Sequence, residues 1–397
     1  MIVISLALSF ILAEPQSLTG WPGWRGVNRD GQVAHLPKEI PAQKLLWKVA
    51  VAGECHAGIA GTDEWIVLAD HGDGKDFWRT LDIKSGKQVW EHSYSNAVKM
   101  DFGSGPRTTP LIYKARVYGL NALGQLLCLD LKSGRLLWQV NLFDKYAKKK
   151  GPDWGYCASP LVAGGKIVCM TGSQKFALVA VNPLSGKFVW QAKGVGTNYA
   201  SFLAARIGKT EQIIGYENKA ISGWSTADGK KIWSMEIDTG DGYTVTTPIM
   251  HNGRLLLTSS AEETRLFEFD KSGKLITKPV ATSTDLWPEM STPVVIGDLL
   301  LGSTEGLVAL SLKDKLKTVW KFEDDDTIHG FNQFIASKDR VLVATEDGHI
   351  LLLAVNGKDS KVIGKMKVSG DTMVHPAVIG DRLLVRDKEF VYCYRLK

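Results

Sequence analysis

Residues 126–138 read LLCLDLKSGRLLW. An apolar run ends at Asp130, a Lys-Ser-Gly-Arg turn follows, and a second apolar run closes on Trp138. Apolar runs on both sides of a Gly-containing turn read as a hairpin, because Gly accepts the positive φ that a tight turn demands. The phrase recurs as SGKQVW at 85–90, SGKFVW at 185–190 and DGKKIW at 228–233. Weaker copies are SGKLIT at 272–277, LKTVW at 316–320 and DSKVIG at 359–364. Trp47, Trp90, Trp138, Trp190, Trp233 and Trp320 are spaced by 43, 48, 52, 43 and 87 residues, so the last gap is two units with one Trp missing.

Each phrase is followed by a polar linker and then a small-Pro pair that opens another strand. These pairs are Thr109-Pro110, Ser159-Pro160, Thr247-Pro248, Thr292-Pro293 and His375-Pro376. A Pro is tolerated at the start of a strand where its missing N–H needs no partner. A Gly-rich or charged turn then leads into a further apolar strand such as GKIVCM or GRLLLT. One unit is therefore four short strands. A lone sheet of this size cannot bury both faces, but radial repetition buries them all. The expected fold is all-β: an eight-bladed propeller of four-stranded antiparallel blades. Seven units run over 55–95, 104–142, 155–195, 199–240, 243–283, 289–325 and 330–370, and the eighth, over 373–397, stops after about three strands. LLWKVAV at 45–51 is the outer-strand phrase without its first three strands, so it should close the ring against the C-terminal blade and protect the sheet edges. The six Trp are expected to be structural. Each indole packs flat on the next blade while its N–H donates to a backbone carbonyl.

The chain has 397 residues, 44% hydrophobic and 23% charged, a globular composition. Forty Gly without a three-residue period exclude collagen. The net charge of +6 is dispersed, and the basic cluster Lys145, Lys148, Lys149 and Lys150 lacks the interleaved aromatics of a nucleic-acid stripe. No apolar run reaches the ~18 residues of a spanning helix. Residues 2–13, IVISLALSFILA, suit a secretory leader, with a buried first strand as the alternative. The organisation expected is a signal peptide over 1–13, an extension over 14–44 wrapping the first or last blade through Trp21 and Trp24, and the propeller over 45–397. The protein is expected to be exported, periplasmic or secreted, and monomeric. With no Cys after the apolar stretch, no lipid anchor is expected. The five Cys are too scattered for a disulfide framework. Cys128 and Cys393 read as buried strand positions, and Cys157 and Cys169 either lie free or bridge neighbouring strands.

The repeated phrase, with its S/T-P strand starts, resembles the pyrroloquinoline-quinone (PQQ) type repeat. That repeat builds quinoprotein alcohol dehydrogenases, the outer-membrane β-barrel assembly lipoprotein and a large group of exported bacterial PQQ-like propellers. WPGWRGVNRDG at 21–31, GSGPRTTP at 103–110 and WGYCASP at 154–160 resemble segments of that last group. The resemblance covers about residues 21–397 and implies the fold. It implies activity weakly: the adjacent cysteines that stack on the quinone are absent, no Glu/Asn/Asp set for Ca²⁺ falls on matching positions, and no C-x-x-C-H haem motif or lipidated Cys is present.

Segments just before each inner strand crowd the channel mouth of a propeller, where ligands bind. They supply His56, Arg107, Trp154, Tyr156, Asn198, Tyr199, Asp241, Tyr243, Glu289, His329, Asn332 and His375. The three His come from neighbouring blades and either converge on a ligand or bond loop carbonyls. Arg107 either pairs an anion or ties down the Asp101 carboxylate. Trp154 and Tyr156 either stack a planar ligand or pack. The DHGDGKD loop at 70–76 departs from EF-hand spacing and reads as a solvated hairpin turn, and Glu323–Asp326 reads as a solvated inter-blade loop. No catalytic or metal-ligating residue is assigned. The favoured reading is a non-enzymatic scaffold that binds an envelope protein or small ligand at the channel mouth, without cofactor, nucleic acid or membrane span. The alternatives are a PQQ/Ca²⁺-dependent oxidoreductase and a carbohydrate-binding module.

Overall fold

The computed structural model describes residues 20–40, 44–53, 55–101, 103–148, 150–194, 196, 198–238, 243–261, 263–323 and 325–396. The expected leader over 1–13 lies outside them, as do Lys149, Asp241 and Asp324. The strands form eight four-stranded antiparallel sheets arranged as a propeller. Counted from the N-terminal side, the inner strands of blades 1 to 8 are Ala60–Gly61, Leu111–Tyr113, Leu161–Ala163, Leu203–Ile207, Ile249–His251, Val294–Ile296, Gln333–Ala336 and Ala377–Ile379. The ring closes where Leu45–Ala50 pairs with Phe390–Arg395, with Trp47 opposite Cys393. That strand supplies the missing fourth strand of blade 8.

The repeated phrase works as a local device. In blade 1 the Asp82 carboxylate accepts from the Ser85 N–H at 2.7 Å and the Ser85 hydroxyl at 2.6 Å. Gly86 takes φ +70° and donates its N–H to the Asp82 carbonyl. Asp130 and Ser133 repeat the arrangement in blade 2. These bonds, the Ser hydroxyl first, hold both carboxylates below their ordinary range. The turn then becomes a seat for the indole of the preceding blade. A Cβ on Gly86 would lie 2.7 Å from the Trp47 ring, and one on Gly186 would lie 2.7 Å from the Trp138 ring. Only a glycine leaves room for that stacking.

The indole N–H groups complete the seat in four cases. Trp47 donates to the Ile83 carbonyl, Trp90 to Leu131, Trp138 to Pro183 and Trp190 to Thr226, at 2.8–3.2 Å. Two Trp depart from the pattern. Trp233 donates to the Gln212 side chain of its own blade at 2.7 Å, and Gln212 passes the link on to the Gly273 carbonyl. The Trp320 N–H has no acceptor among the described residues. Blade 5 departs from the repeat as well. Its SGKLIT phrase lacks the Trp, and its outer strand is delayed to Ala281–Ser283, past Pro279, which has no N–H for a ladder.

All five Cys are free thiols, and four of them are buried. The reading of residues 70–76 as a solvated turn needs correction. Asp73 and Gly74 do form the hairpin tip, both at positive φ. Asp70 and Asp76, however, are fully buried. Asp70 meets Arg386 of blade 8 at 3.0 Å and also Arg79. Asp76 takes Asn96, Asn121 and His71 at 2.8–3.0 Å. The carboxylates are drawn inward because the seam between the last and first blades, and the step to blade 2, need charged partners there. In the 323–326 loop Asp325 pairs with Lys365 at 2.6 Å.

Candidate functional site

The chain enters the eight inner strands around the channel axis through Gly58, Thr109, Ser159, Ser201, Thr247, Thr292, Gln333 and His375, all but Gln333 two residues ahead of the strand. Several of these small residues link neighbouring blades. The Thr109 N–H donates to the Ser159 hydroxyl, the Ser159 N–H to Ser201, and the Thr247 N–H to Thr292, at 2.9–3.0 Å. The Pro that follows has no N–H for the ladder, so strand pairing begins after it and the preceding N–H reaches sideways. That is a physical reason for the recurring small-Pro pair.

Below this ring, along the inner strands, the channel is crossed by residues 20–36. The extension does not simply wrap the first or last blade, as the sequence suggested. Trp21 does bridge to Gly61 of blade 1. The chain then runs across the axis, touching seven blades. Ile112 donates to the Pro22 carbonyl, Trp24 donates its indole N–H to Thr247 at 3.0 Å, and Val33 pairs with Ala336. Arg25 reaches the Thr292 and Pro293 carbonyls of blade 6 at 2.6 and 2.7 Å. Arg29 reaches Pro160 and Ser159 of blade 3 at 2.8 and 3.1 Å. Burial lowers these guanidiniums to about 10 and about 9, which leaves both charged at neutral pH. The two arginines were not singled out in the sequence, although the motif W-P-x-W-R-x-x-x-R that contains them was.

On the other side of the ring the channel opens as a well of about 430 Å³. Trp24 is its floor, so the well is blind. His56, Arg107, Trp154, Tyr243 and His375 line it, as do Tyr199 and Glu289. Trp154 lies 4.8 Å, centroid to centroid, from both Tyr199 and Tyr243. Tyr243 donates to Glu289 at 3.4 Å. These rings are half-buried, and Met290, Phe331, Met373 and Val374 continue the apolar wall.

Other expected mouth residues lie elsewhere. Tyr156 is buried between strands and donates to the Thr171 carbonyl at 2.8 Å. Asn198 is buried and accepts from the Thr244 N–H, joining blades 4 and 5. Asn332 is buried behind the wall that its neighbours Phe331 and Gln333 form. His329 is exposed away from the well and bonds the Asp326 carbonyl. The three His therefore do not converge. His375 sits on the axis between Trp21 and Trp24, with the Pro376 and Phe334 carbonyls at its two nitrogens. Burial, reinforced by Arg25, pushes it down to about 3, so it is neutral at physiological pH. Arg107 lines the well and ties down the main chain of its own loop, not the Asp101 carboxylate. Its guanidinium donates to the Asp101 and Gly103 main-chain carbonyls, because a tight loop offers those oxygens closer than the Asp101 carboxylate. Cys157 also lines the well, and burial raises its thiol to about 12.

The donor set does not fit a quinone–Ca²⁺ site. Ca²⁺ takes six to eight oxygen ligands, several of them carboxylates. Among the described residues the well wall carries one carboxylate, Glu289, already bonded to Tyr243. Among the described residues no three His, Cys, Asp or Glu side chains cluster to hold a metal.

A sequence model of the family described as outer membrane protein assembly factor BamB matches residues 30–141 and 63–322. The chain is 22% identical over 329 residues to the outer membrane protein assembly factor BamB of Moranella endobia, covering 78% of this chain and 77% of that one. Its fold is similar to the crystal structure of BamB from Moraxella catarrhalis, with a TM-score of 0.64, 16% identity, and 89% and 100% of the two chains covered. It is also similar to the quinohemoprotein alcohol dehydrogenase of Comamonas testosteroni, with a TM-score of 0.71, 12% identity, and 98% and 82% covered.

Proposed function

Because the chain belongs to the PQQ-like propeller family of the outer membrane protein assembly factor BamB, we propose that it is an exported, non-enzymatic assembly scaffold of the bacterial envelope. Its partner is an envelope protein engaged in outer-membrane protein assembly, and it docks at the channel mouth. The observation that carries this reading is the blind well: half-buried aromatics above a floor made by the chain's own Trp24, with one bonded carboxylate and no convergent acid–base pair among the described residues. Half-exposed Tyr and Trp above an apolar pocket are what a protein interface uses as anchors. An oxidoreductase would need convergent acid–base or metal-holding groups instead.

The test places a photo-crosslinking amino acid at Tyr243, at Trp287 in the mouth loop of blade 6, and at Val189 on the outer edge of blade 3. Trp287 and Val189 are 43% and 49% exposed, so accessibility is matched. Crosslinks to envelope proteins should concentrate at the two mouth positions. Equal yields at Val189, or a Ca²⁺-dependent rise in melting temperature with PQQ, would overturn the reading.

A further inference from the structure

The well does not end at its aromatic wall. Past His56, Met373 and Val374 it adjoins a second cavity of about 230 Å³ at blades 7, 8 and 1. Glu346, Asp371 and Asp387 line this annex, against one cation, Lys388. Glu346 accepts from the N–H of Phe331, itself part of the well wall, so annex and well share one partition. Asp387 remains ionised: burial works against its charge, but the N–H groups of Glu389, Gly370 and Phe390 and the Tyr392 hydroxyl outweigh it. Asp371 is exposed. Across the well, Glu289 of blade 6 adds a fourth carboxylate, and Arg107 stands on the blade 2 side. The described wall from blade 6 to blade 8 therefore carries four carboxylates, on a chain whose net charge is +6.

We propose that the mouth recognises a protein segment in which a bulky apolar side chain, aromatic or long aliphatic, is followed directly by Lys or Arg. The inference rests on the reading of the mouth as a protein-docking site and names the chemistry of what docks. The apolar group descends onto Trp24 between Tyr243 and the Met373–Val374 wall, where burial of its surface supplies the attraction. The cation turns into the annex toward Asp371 and Glu346. An acidic residue in its place meets like charge there and is rejected.

Anisotropy titrations of the full chain test this with labelled peptides of sequence Gly-Ser-Trp-Lys-Ser-Gly, with Glu replacing Lys in a second and Ala replacing Trp in a third. The Trp-Lys peptide should bind roughly tenfold more tightly than Trp-Glu at low salt, and the gap should narrow at high salt. The double substitution Glu346→Gln with Asp371→Asn should bring the two Trp peptides within about twofold. Tyr243→Ala should weaken both Trp peptides alike. Equal binding of Lys and Glu peptides, a gap that survives the double substitution, or no binding at about 1 mM peptide would overturn the proposal. Its failure is separable from failure of the docking reading. Mouth crosslinks that persist without a charge preference would discard this partner chemistry alone, whereas loss of the mouth crosslinks would discard both.

Discussion

The two ends of the channel are built from the same eight strands and treated in opposite ways. At the far end residues 20–36 meet at least seven blades, and the terminal guanidinium nitrogens of Arg25 and Arg29 are spent on main-chain carbonyls. At the mouth, aromatic rings are left half-buried and carboxylates line an open annex. The far end is finished by the chain itself, so its residues serve stability. The mouth is unfinished, so its residues are available for recognition. Substitutions at the two ends should therefore separate cleanly into losses of stability and losses of binding.

The largest effect is expected at Arg25. Arg25→Ala strands the Thr292 and Pro293 carbonyls in a buried site and leaves the Gln32 bond to Val295 to hold the segment to blade 6. Removing one partner of a buried charged bond costs about 3 kcal/mol or more. Urea denaturation measures it. A loss below about 1 kcal/mol would mean that the far end is not held by its arginines and would break the comparison.

His375, between the ends, sharpens it through pH. Its folded value of about 3 lies below the ordinary 6.5, so between those values the unfolded chain binds a proton that the folded one refuses. Stability is intact above about pH 6.5. It falls as the pH drops toward 3, by ~1.4 kcal/mol for each pH step of one and several kcal/mol in all. His375→Gln should remove about one proton from the slope of stability against pH in that window. Gln occupies the same ring position in blade 7, as Gln333. An unchanged slope would show that the axis is open to water from the mouth.

How much of this was legible in the sequence follows the range of the interactions. The Asp82–Ser85–Gly86 turn and its Trp47 seat are written within one phrase, so the repeat could be counted by eye into eight blades. The function of residues 20–36 could not, because the bonds of Arg25 reach 267 and 268 residues along the chain. Mouth loops have no period, so nothing distinguishes Tyr243, whose ring faces the well, from Tyr156, whose ring is sealed behind it. Asp70 and Asp76 read as solvated because, beside Arg79 and His71 of their own hairpin, they need Arg386, Asn96 and Asn121 from elsewhere in the chain.

A smaller effect is expected at Ser159, in the ring that separates the ends. Ser159→Ala leaves the buried Thr109 N–H without its 3.0 Å acceptor and should cost ~1–2 kcal/mol, read in the same denaturation experiment. The loss should appear with no change in peptide affinity at the mouth, since the hydroxyl is already engaged by the neighbouring blade.

The smallest effect on stability belongs to the rim. Trp287 is 43% exposed and Tyr243 is half-buried, so Trp287→Ser and Tyr243→Ala leave little that was out of water. Each should change stability by less than about 1 kcal/mol. The same substitutions should lower crosslinking and peptide capture at the mouth several-fold, because central aromatic anchors dominate protein interfaces. A rim substitution that unfolds the protein while Arg25→Ala does not would reverse the assignment of the two ends. The well would then be a stabilising core, and the plugged end the place to look for a partner.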